Sequence, residues 1–130
     1  MTERSISPAL HSAMDELSRR RSAFDVTSAD LARTWVAANA ATRAAFDLAN
    51  GCYVATRAGH YLFVASAGQN VRLVLTRNGA DAAEPLEAQP TLLVAALQLA
   101  KGDVVGLRVT LRCGTLADVT TPVRWRGAKV

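Results

Sequence analysis

The chain has 130 residues, half of them hydrophobic, and a formal charge of +4 at pH 7. These values suit a single domain with its own core, and no apolar stretch approaches the roughly 20 residues of a membrane-spanning helix. The basic residues are scattered and aromatic residues form only 5% of the chain, so nucleic acid is not an expected partner.

The first segment, residues 1–21, is predicted to be a short amphipathic helix or arm, because apolar residues recur at helical spacing and cations follow them. Asp15, Glu16 and three arginines interrupt it, so it does not read as a secretory signal and we expect the protein to be used inside a cell. Because its apolar stripe is narrow, such a helix would be only marginally stable alone in water. It therefore needs a surface to pack against, either that of its own domain or that of a neighbouring subunit. The residues predicted to contact a partner are Leu10, Met14, Leu17, Arg19, Arg20 and Arg21, with Arg124 and Arg126 of the tail.

From about residue 22 the hydrophobic period changes to two, which predicts β-strands in a single domain over residues 22–130. The alternation is clearest in one run, whose core-facing members are Val105, Leu107, Val109, Leu111 and Cys113. Turn residues separate the predicted strands, which cover residues 51–56, 60–66, 71–77, 90–99, 105–113 and 121–126. Strands about 10 residues apart without intervening helices favour a sandwich or barrel.

Residues 29–45 are ambiguous, because their alanines favour a helix while Trp35, Val36 and Phe46 suit strands equally well. We expect irregular strand and loop here. Basic residues alternate along several predicted strands and are expected to share one outer face, for which a solvated surface is favoured over a site for nucleic acid or an acidic protein. They are Arg72, Arg108, Arg112, Arg124 and Arg126.

The residues that carry chemistry do not form a recognisable set. The two histidines, His11 and His60, are far apart in sequence and neither belongs to an acid–base or nucleophilic group. Cys52 and Cys113 lack zinc-site spacing and are expected to be free thiols, although a His60–cysteine pair is conceivable. Phosphate-binding loops are also lacking. We therefore expect no catalysis, no metal and no cofactor.

Several short motifs follow one another in a consistent order. They are Ser22-Ala23-Phe24, Asn39, Phe46-Asp47, the run from Asn50 to Thr56, Gly59-x-Tyr61-x-Phe63, Val71-x-Leu73 with Asn78-Gly79, Leu97-x-Leu99 with Lys101-Gly102-Asp103, and Trp125-x-Gly127. In order and spacing they resemble the globular head of complement-type proteins and their relatives in the tumour necrosis factor (TNF) superfamily. The resemblance spans about residues 22–130 and implies an all-β, two-sheet jelly-roll sandwich, preceded here by the short helix or arm.

The same resemblance implies self-assembly. Members of this family usually form homotrimers through aromatic and aliphatic side chains of one sheet, although a dimer would also agree with this sequence. The large rings are predicted to fill either the core or this subunit seam. The seam candidates are Tyr61, Phe63, Tyr53 and Trp125. Some family members hold calcium with loop carboxylates, and a weak site of this kind stays open.

Two non-enzymatic hypotheses follow. The first is a virion structural protein: an oligomeric cement (decoration) protein that binds the major capsid protein on a phage shell and is assembled in the host cytoplasm. It rests on the arm and on the lack of an export signal, a stalk and a catalytic set. The second is an oligomeric head that binds a receptor or glycan on a phage fibre or bacterial surface filament. A ligand-binding intracellular regulator has only the fold in its favour.

Overall fold

The computed structural model describes residues 23–68, 70–83, 87–88, 91–111 and 122–130. The predicted arm, with Leu10, Met14, Leu17, Arg19, Arg20 and Arg21, lies outside the described residues, as do His11, Arg112 and Cys113.

The described part of the chain contains eleven strands and one short helix. In chain order they are β1 (Phe24–Ser28), β2 (Val36–Ala37), α1 (Ala40–Ala45), β3 (Phe46–Asp47), β4 (Cys52–Val54), β5 (Gly59–Ala67), β6 (Val71–Arg77), β7 (Ala80–Ala83), β8 (Glu87–Ala88), β9 (Thr91–Leu99), β10 (Val104–Leu111) and β11 (Val123–Lys129). The strand predicted over residues 71–77 has the predicted bounds, and the other long strands differ from prediction by a few residues.

The strands form two antiparallel sheets. One has six strands in the order β2-β1-β11-β5-β9-β8, and the other has five in the order β3-β4-β10-β6-β7. Each sheet joins some strands that are consecutive in sequence and others that are distant, as β1 beside β11 illustrates. This arrangement confirms the predicted all-β jelly-roll sandwich.

The core lies between the sheets and is rich in rings. Phe24 packs within 4.9 Å, between ring centroids, of Phe46, Tyr53 and Trp125. Burying each large apolar side chain contributes about 1.5–3 kcal/mol, so this cluster is a main source of stability. Gly127 is required beside it, because a Cβ there would lie 2.5 Å from a Phe24 ring carbon.

Residues 40–45 correct the prediction of irregular strand and loop, because they form α1. Asn39 caps this helix: its Oδ1 accepts from the Thr42 N–H at 2.9 Å. The Thr42 hydroxyl accepts from the Asp25 backbone N–H at 3.0 Å and so ties the helix to β1. A cap together with this tertiary contact lets the alanine preference for helix prevail.

Candidate interaction surfaces

The four rings predicted as seam candidates lie inside the sandwich of one chain. Tyr53, Tyr61, Phe63 and Trp125 are each at most 1% exposed. The Tyr61 hydroxyl donates to the Arg57 carbonyl at 2.7 Å, so its polar end is satisfied within the chain as well. These side chains are therefore core residues, and a subunit seam has to be built from others.

The outward side of the six-stranded sheet offers such residues. Successive side chains of a strand point to opposite faces, so the inward Tyr61 and Phe63 place Leu62 and Val64 outward. Leu62 pairs with Ala96 of β9, and Val64 pairs with Val94. We call this patch the outer apolar face; its members are Leu62, Val64, Leu92, Val94 and Ala96.

The burial of these residues is graded across the face. Val64 is buried, while Leu62, Leu92 and Val94 are half-buried and Ala96 is exposed. The segment from Thr91 to Leu97 contains no charged residue and does not alternate with polar residues, as is typical of a strand that is covered on both faces. That uninterrupted run is the sequence signal by which the face could have been found.

An ion-pair cluster flanks the outer apolar face. The Asp25 carboxylate accepts from Arg124 at two points, Nε to Oδ1 at 3.1 Å and Nη2 to Oδ2 at 2.7 Å. The Nε of Arg126 lies 3.7 Å from the same Oδ2. The Arg126 side chain is buried, so it has little surface for a partner, whereas the Arg124 side chain remains 45% exposed.

The outward side of the five-stranded sheet is polar by comparison. Arg72, Arg108 and Thr110 are exposed there, and Arg108 donates to Asp81 at 2.8 Å. Both partners of this ion pair are about half exposed, so it contributes little to stability. Arg72 and Arg108 thus lie on one sheet and Arg124 and Arg126 on the other, which corrects the expectation of a single basic face.

One end of the sandwich is built from three connections that meet. Residues 55–58 join β4 to β5, residues 78–79 join β6 to β7, and residues 100–103 join β9 to β10. Strand β1 begins and β11 ends at the same end, since Phe24 pairs with Gly127. We call this the basal end.

Backbone hydrogen bonds hold the basal connections together. The Ala55 N–H donates to the Asp103 carbonyl at 2.9 Å, and the Gly102 N–H donates to the Ala55 carbonyl at 2.8 Å. Asn78 exchanges two bonds with Val104, donating its N–H at 2.7 Å and accepting at Oδ1 from the Val104 N–H at 2.9 Å. The basal end is therefore a cross-linked unit.

The Asp103 carboxylate is the polar centre of this unit. Its Oδ2 accepts from the Ala100 N–H at 2.8 Å and lies 3.0 Å from Nη2 of Arg77, while Oδ1 accepts from the Asn78 amide at 3.1 Å. The Ala100 and Asn78 hydrogen bonds, followed by the charge of Arg77, hold the pKa of the Asp103 carboxyl below its ordinary value. The carboxylate thus acts as a structural clamp between these connections.

Comparison with known proteins identifies similar folds. No family model and no curated protein matches the sequence. Among solved structures, the globular domain of zebrafish complement 1qA protein has a TM-score of 0.57 at 20% identity and covers 85% of this chain and 98% of that one. Rabbit GITRL has a TM-score of 0.53 at 11% identity, covering 82% of this chain and 93% of that one.

The chain has the TNF-like jelly-roll fold. In this fold, the motifs that carry the resemblance form parts of the core and of the turns. Gly59-x-Tyr61-x-Phe63 supplies stacked core rings, whose centroids are 6.3 Å apart, and Lys101-Gly102-Asp103 forms the basal turn. The glycine of that turn has φ +91°, a conformation that favours glycine.

The described residues that could carry chemistry lie apart within this jelly roll. His60 is exposed on β5 of the six-stranded sheet, while Cys52 is a free, half-buried thiol on β4 of the other sheet, so they do not form a pair. Burial raises the pKa of the Cys52 thiol, and the charge of Asp47 raises it further. Within the ranges that the structure describes, no three histidine, cysteine, aspartate or glutamate side chains converge as a metal site requires. In this part of the chain no helix has the length and apolar character needed to cross a membrane.

Proposed function

We propose that the protein is a non-enzymatic structural domain that assembles with itself through the outer apolar face. The finer proposal is that this oligomer is a phage cement protein on the capsid surface, where it binds the major capsid protein after assembly in the host cytoplasm. The observation that carries the assembly proposal is that β5 and β9 present apolar residues on both sides of the sheet.

The driving force for assembly is the burial of that face. Full burial of a leucine or valine side chain contributes about 1.5–3 kcal/mol, and Leu62, Leu92 and Val94 are already partly buried within one chain, so each has at most about a third of that left to gain. The other sheet would have to desolvate Arg108 and Asp81 instead, which makes it the poorer seam. The resemblance to the TNF superfamily favours a trimer, and a dimer would use the same face.

Self-assembly supports the proposed cement role through multivalency. Each copy needs only a weak contact with the shell, because several linked copies bind together with a far greater effective affinity. The segment of residues 1–21 and the exposed Arg124 are proposed to make these contacts. The cationic residues Arg19, Arg20 and Arg21 give that segment an electrostatic reason to bind an acidic shell surface.

The assembly proposal is tested by placing a carboxylate in the face and measuring molar mass by light scattering. Val94→Asp and the more exposed Ala96→Asp should yield folded monomers where the wild type is oligomeric. Thr110→Asp is the matched control on the other sheet and should leave the mass unchanged. A monomeric wild type, or an unaltered mass for both face variants, would show that the seam is elsewhere.

The cement proposal is tested by co-sedimentation with empty shells from the same genome. Oligomers should bind the shells, and deletion of residues 1–20 should abolish binding while the circular dichroism of the sandwich persists. If folded oligomers do not co-sediment with the shells, the receptor- or glycan-binding head becomes the better hypothesis. Normal shell occupancy by the truncated protein would exclude the segment as the contact.

A further inference from the structure

The basal end exposes apolar surface as well as loops. Val54 and Val104 pair across β4 and β10 and are 40% and 37% exposed, while Val130, next to the end of β11, is 59% exposed. The remaining large exposed hydrophobic residue in the described part of the chain is Val36 of β2. Three of the four large exposed hydrophobic residues in the described part of the chain therefore lie at this end, and Val54 and Val104 are adjacent there.

Positive charge occupies the same end. Arg57 and Lys101 are exposed in two of the three basal connections, and neither has an ion-pair partner among the described residues. Arg77 and Lys129 lie beside them at the ends of β6 and β11. The three basal connections contain one acidic residue, Asp103, whose carboxylate is held by Arg77 and by the Ala100 N–H. The cations therefore outnumber the carboxylates there, and the basal end carries a net positive charge.

From this combination we infer that the basal end is a docking surface for an acidic, partly apolar protein surface. The identification of that partner with the capsid shell rests on the proposed function, but the chemistry of the surface does not. The cross-linked loops present Arg57 and Lys101 in a fixed arrangement, which lowers the entropy lost on binding. Residues 1–22 join the fold at Ala23, so the segment proposed to touch the shell is attached at this same end.

The surface fits a protein better than a nucleic acid or a lipid headgroup. Every phenylalanine, tyrosine and tryptophan of the chain is buried in the core, so no such ring is available for base stacking. Affinity for a phosphate backbone grows with the number of phosphates that lysines and arginines neutralise, and this end offers few cations for that purpose. Exposed valines among a few charges suit a mixed acidic and apolar protein patch.

The test uses immobilised poly-L-glutamate as an acidic polypeptide and compares charge reversals at the two ends of the sandwich. Arg57→Glu and Lys101→Glu should each weaken binding by roughly fivefold at low salt, and the double variant by more. Arg33→Glu, an exposed loop arginine at the opposite end, is the matched control and should change binding by less than about twofold. Equal losses in Arg57→Glu and Arg33→Glu would overturn the inference, because binding would then follow net charge alone.

A second comparison separates a protein partner from other polyanions. Anionic lipid vesicles and duplex DNA should bind more weakly than polyglutamate, and tighter binding of either through Arg57 and Lys101 would overturn the assignment to a protein. The shell assay then separates the two proposals. Wild type that binds polyglutamate at this end but never co-sediments with shells would leave the docking surface standing and exclude the cement role.

Discussion

Asp25 and Arg124 form a two-point ion pair between β1 and β11, with donor–acceptor distances of 3.1 and 2.7 Å, although 99 positions separate them in sequence. The Asp25 side chain is only 11% exposed, and Arg126 approaches the same carboxylate from two residues further along β11. One nearly buried carboxylate therefore compensates two guanidinium groups at the edge of the outer apolar face. This arrangement fastens the first strand of the described sandwich to the last.

Asp25→Asn should destabilise the fold strongly. It removes the negative charge that lies between Arg124 and the buried Arg126, so both guanidinium groups lose the attraction of this carboxylate. Losing one partner of a buried ion pair costs about 3–5 kcal/mol, and the exposure of Arg124 lowers the expected loss to roughly 2–3 kcal/mol. Urea unfolding measures this loss in the free energy of unfolding. Asp81→Asn, which breaks the exposed pair with Arg108, is the control and should change the free energy of unfolding by less than about 1 kcal/mol; equal effects would contradict the buried role.

Acid should weaken the basal end through Asp103. Its pKa in the folded protein lies below the ordinary value of 3.8, so its contribution to stability is complete above that value and is lost as the pH falls through the folded pKa. Asp103→Asn should be less stable at neutral pH and should lose less stability on acidification than the wild type. The urea midpoint followed from pH 6 down to about pH 2 checks this. Parallel pH profiles for the two proteins would show that the clamp does not titrate as described.

Gly127→Ala should destabilise the core by overpacking. The added Cβ would lie 2.5 Å from Phe24 Cε1 and 2.7 Å from Phe63 Cδ1, and both rings are confined by other rings. Overpacking of this kind costs about 1–3 kcal/mol, which thermal unfolding can resolve. Gly106→Ala is the comparison, because its Cβ would meet the Thr76 hydroxyl at 2.9 Å, and that small side chain can rotate. A larger loss for Gly106→Ala would argue against the close ring packing.

The Cys52 thiol should react slowly at neutral pH. Burial and the nearby Asp47 raise its pKa, and the thiolate is the reactive form, so the rate of alkylation should still be rising above pH 9. A Cys113→Ser background isolates this thiol. Asp47→Asn should speed the reaction by removing the negative charge that opposes ionisation. Rapid alkylation of Cys52 at pH 7 in the Cys113→Ser protein with Asp47 intact would disprove a suppressed thiol.

The fold was predictable where local rules agreed with one another. The alternation over residues 71–77 and 105–111 and the glycine turns around residues 79 and 102 define strands that appear at nearly the predicted places. Residues 40–45 were mispredicted, because their helix depends on Thr42 binding the backbone of Asp25 as well as on local propensity. The location of the large aromatic rings was harder to predict, because a ring such as Tyr61 is equally suited to a core and to a subunit seam.

The sequence by itself determined the period of two and the turns, which favour a sandwich or barrel because alternation and chain reversal are local properties of the backbone. The order of the motifs, through the family resemblance, implied the two-sheet jelly roll. Only the tertiary structure decided which residues meet. The pairing of Val64 with Val94 builds the outer apolar face, and the Asp25–Arg124 ion pair closes its edge. The loops carrying Arg57 and Lys101 form one basic end because strands distant in sequence finish together there. Such juxtapositions depend on strand register and sheet order, which a linear pattern does not encode.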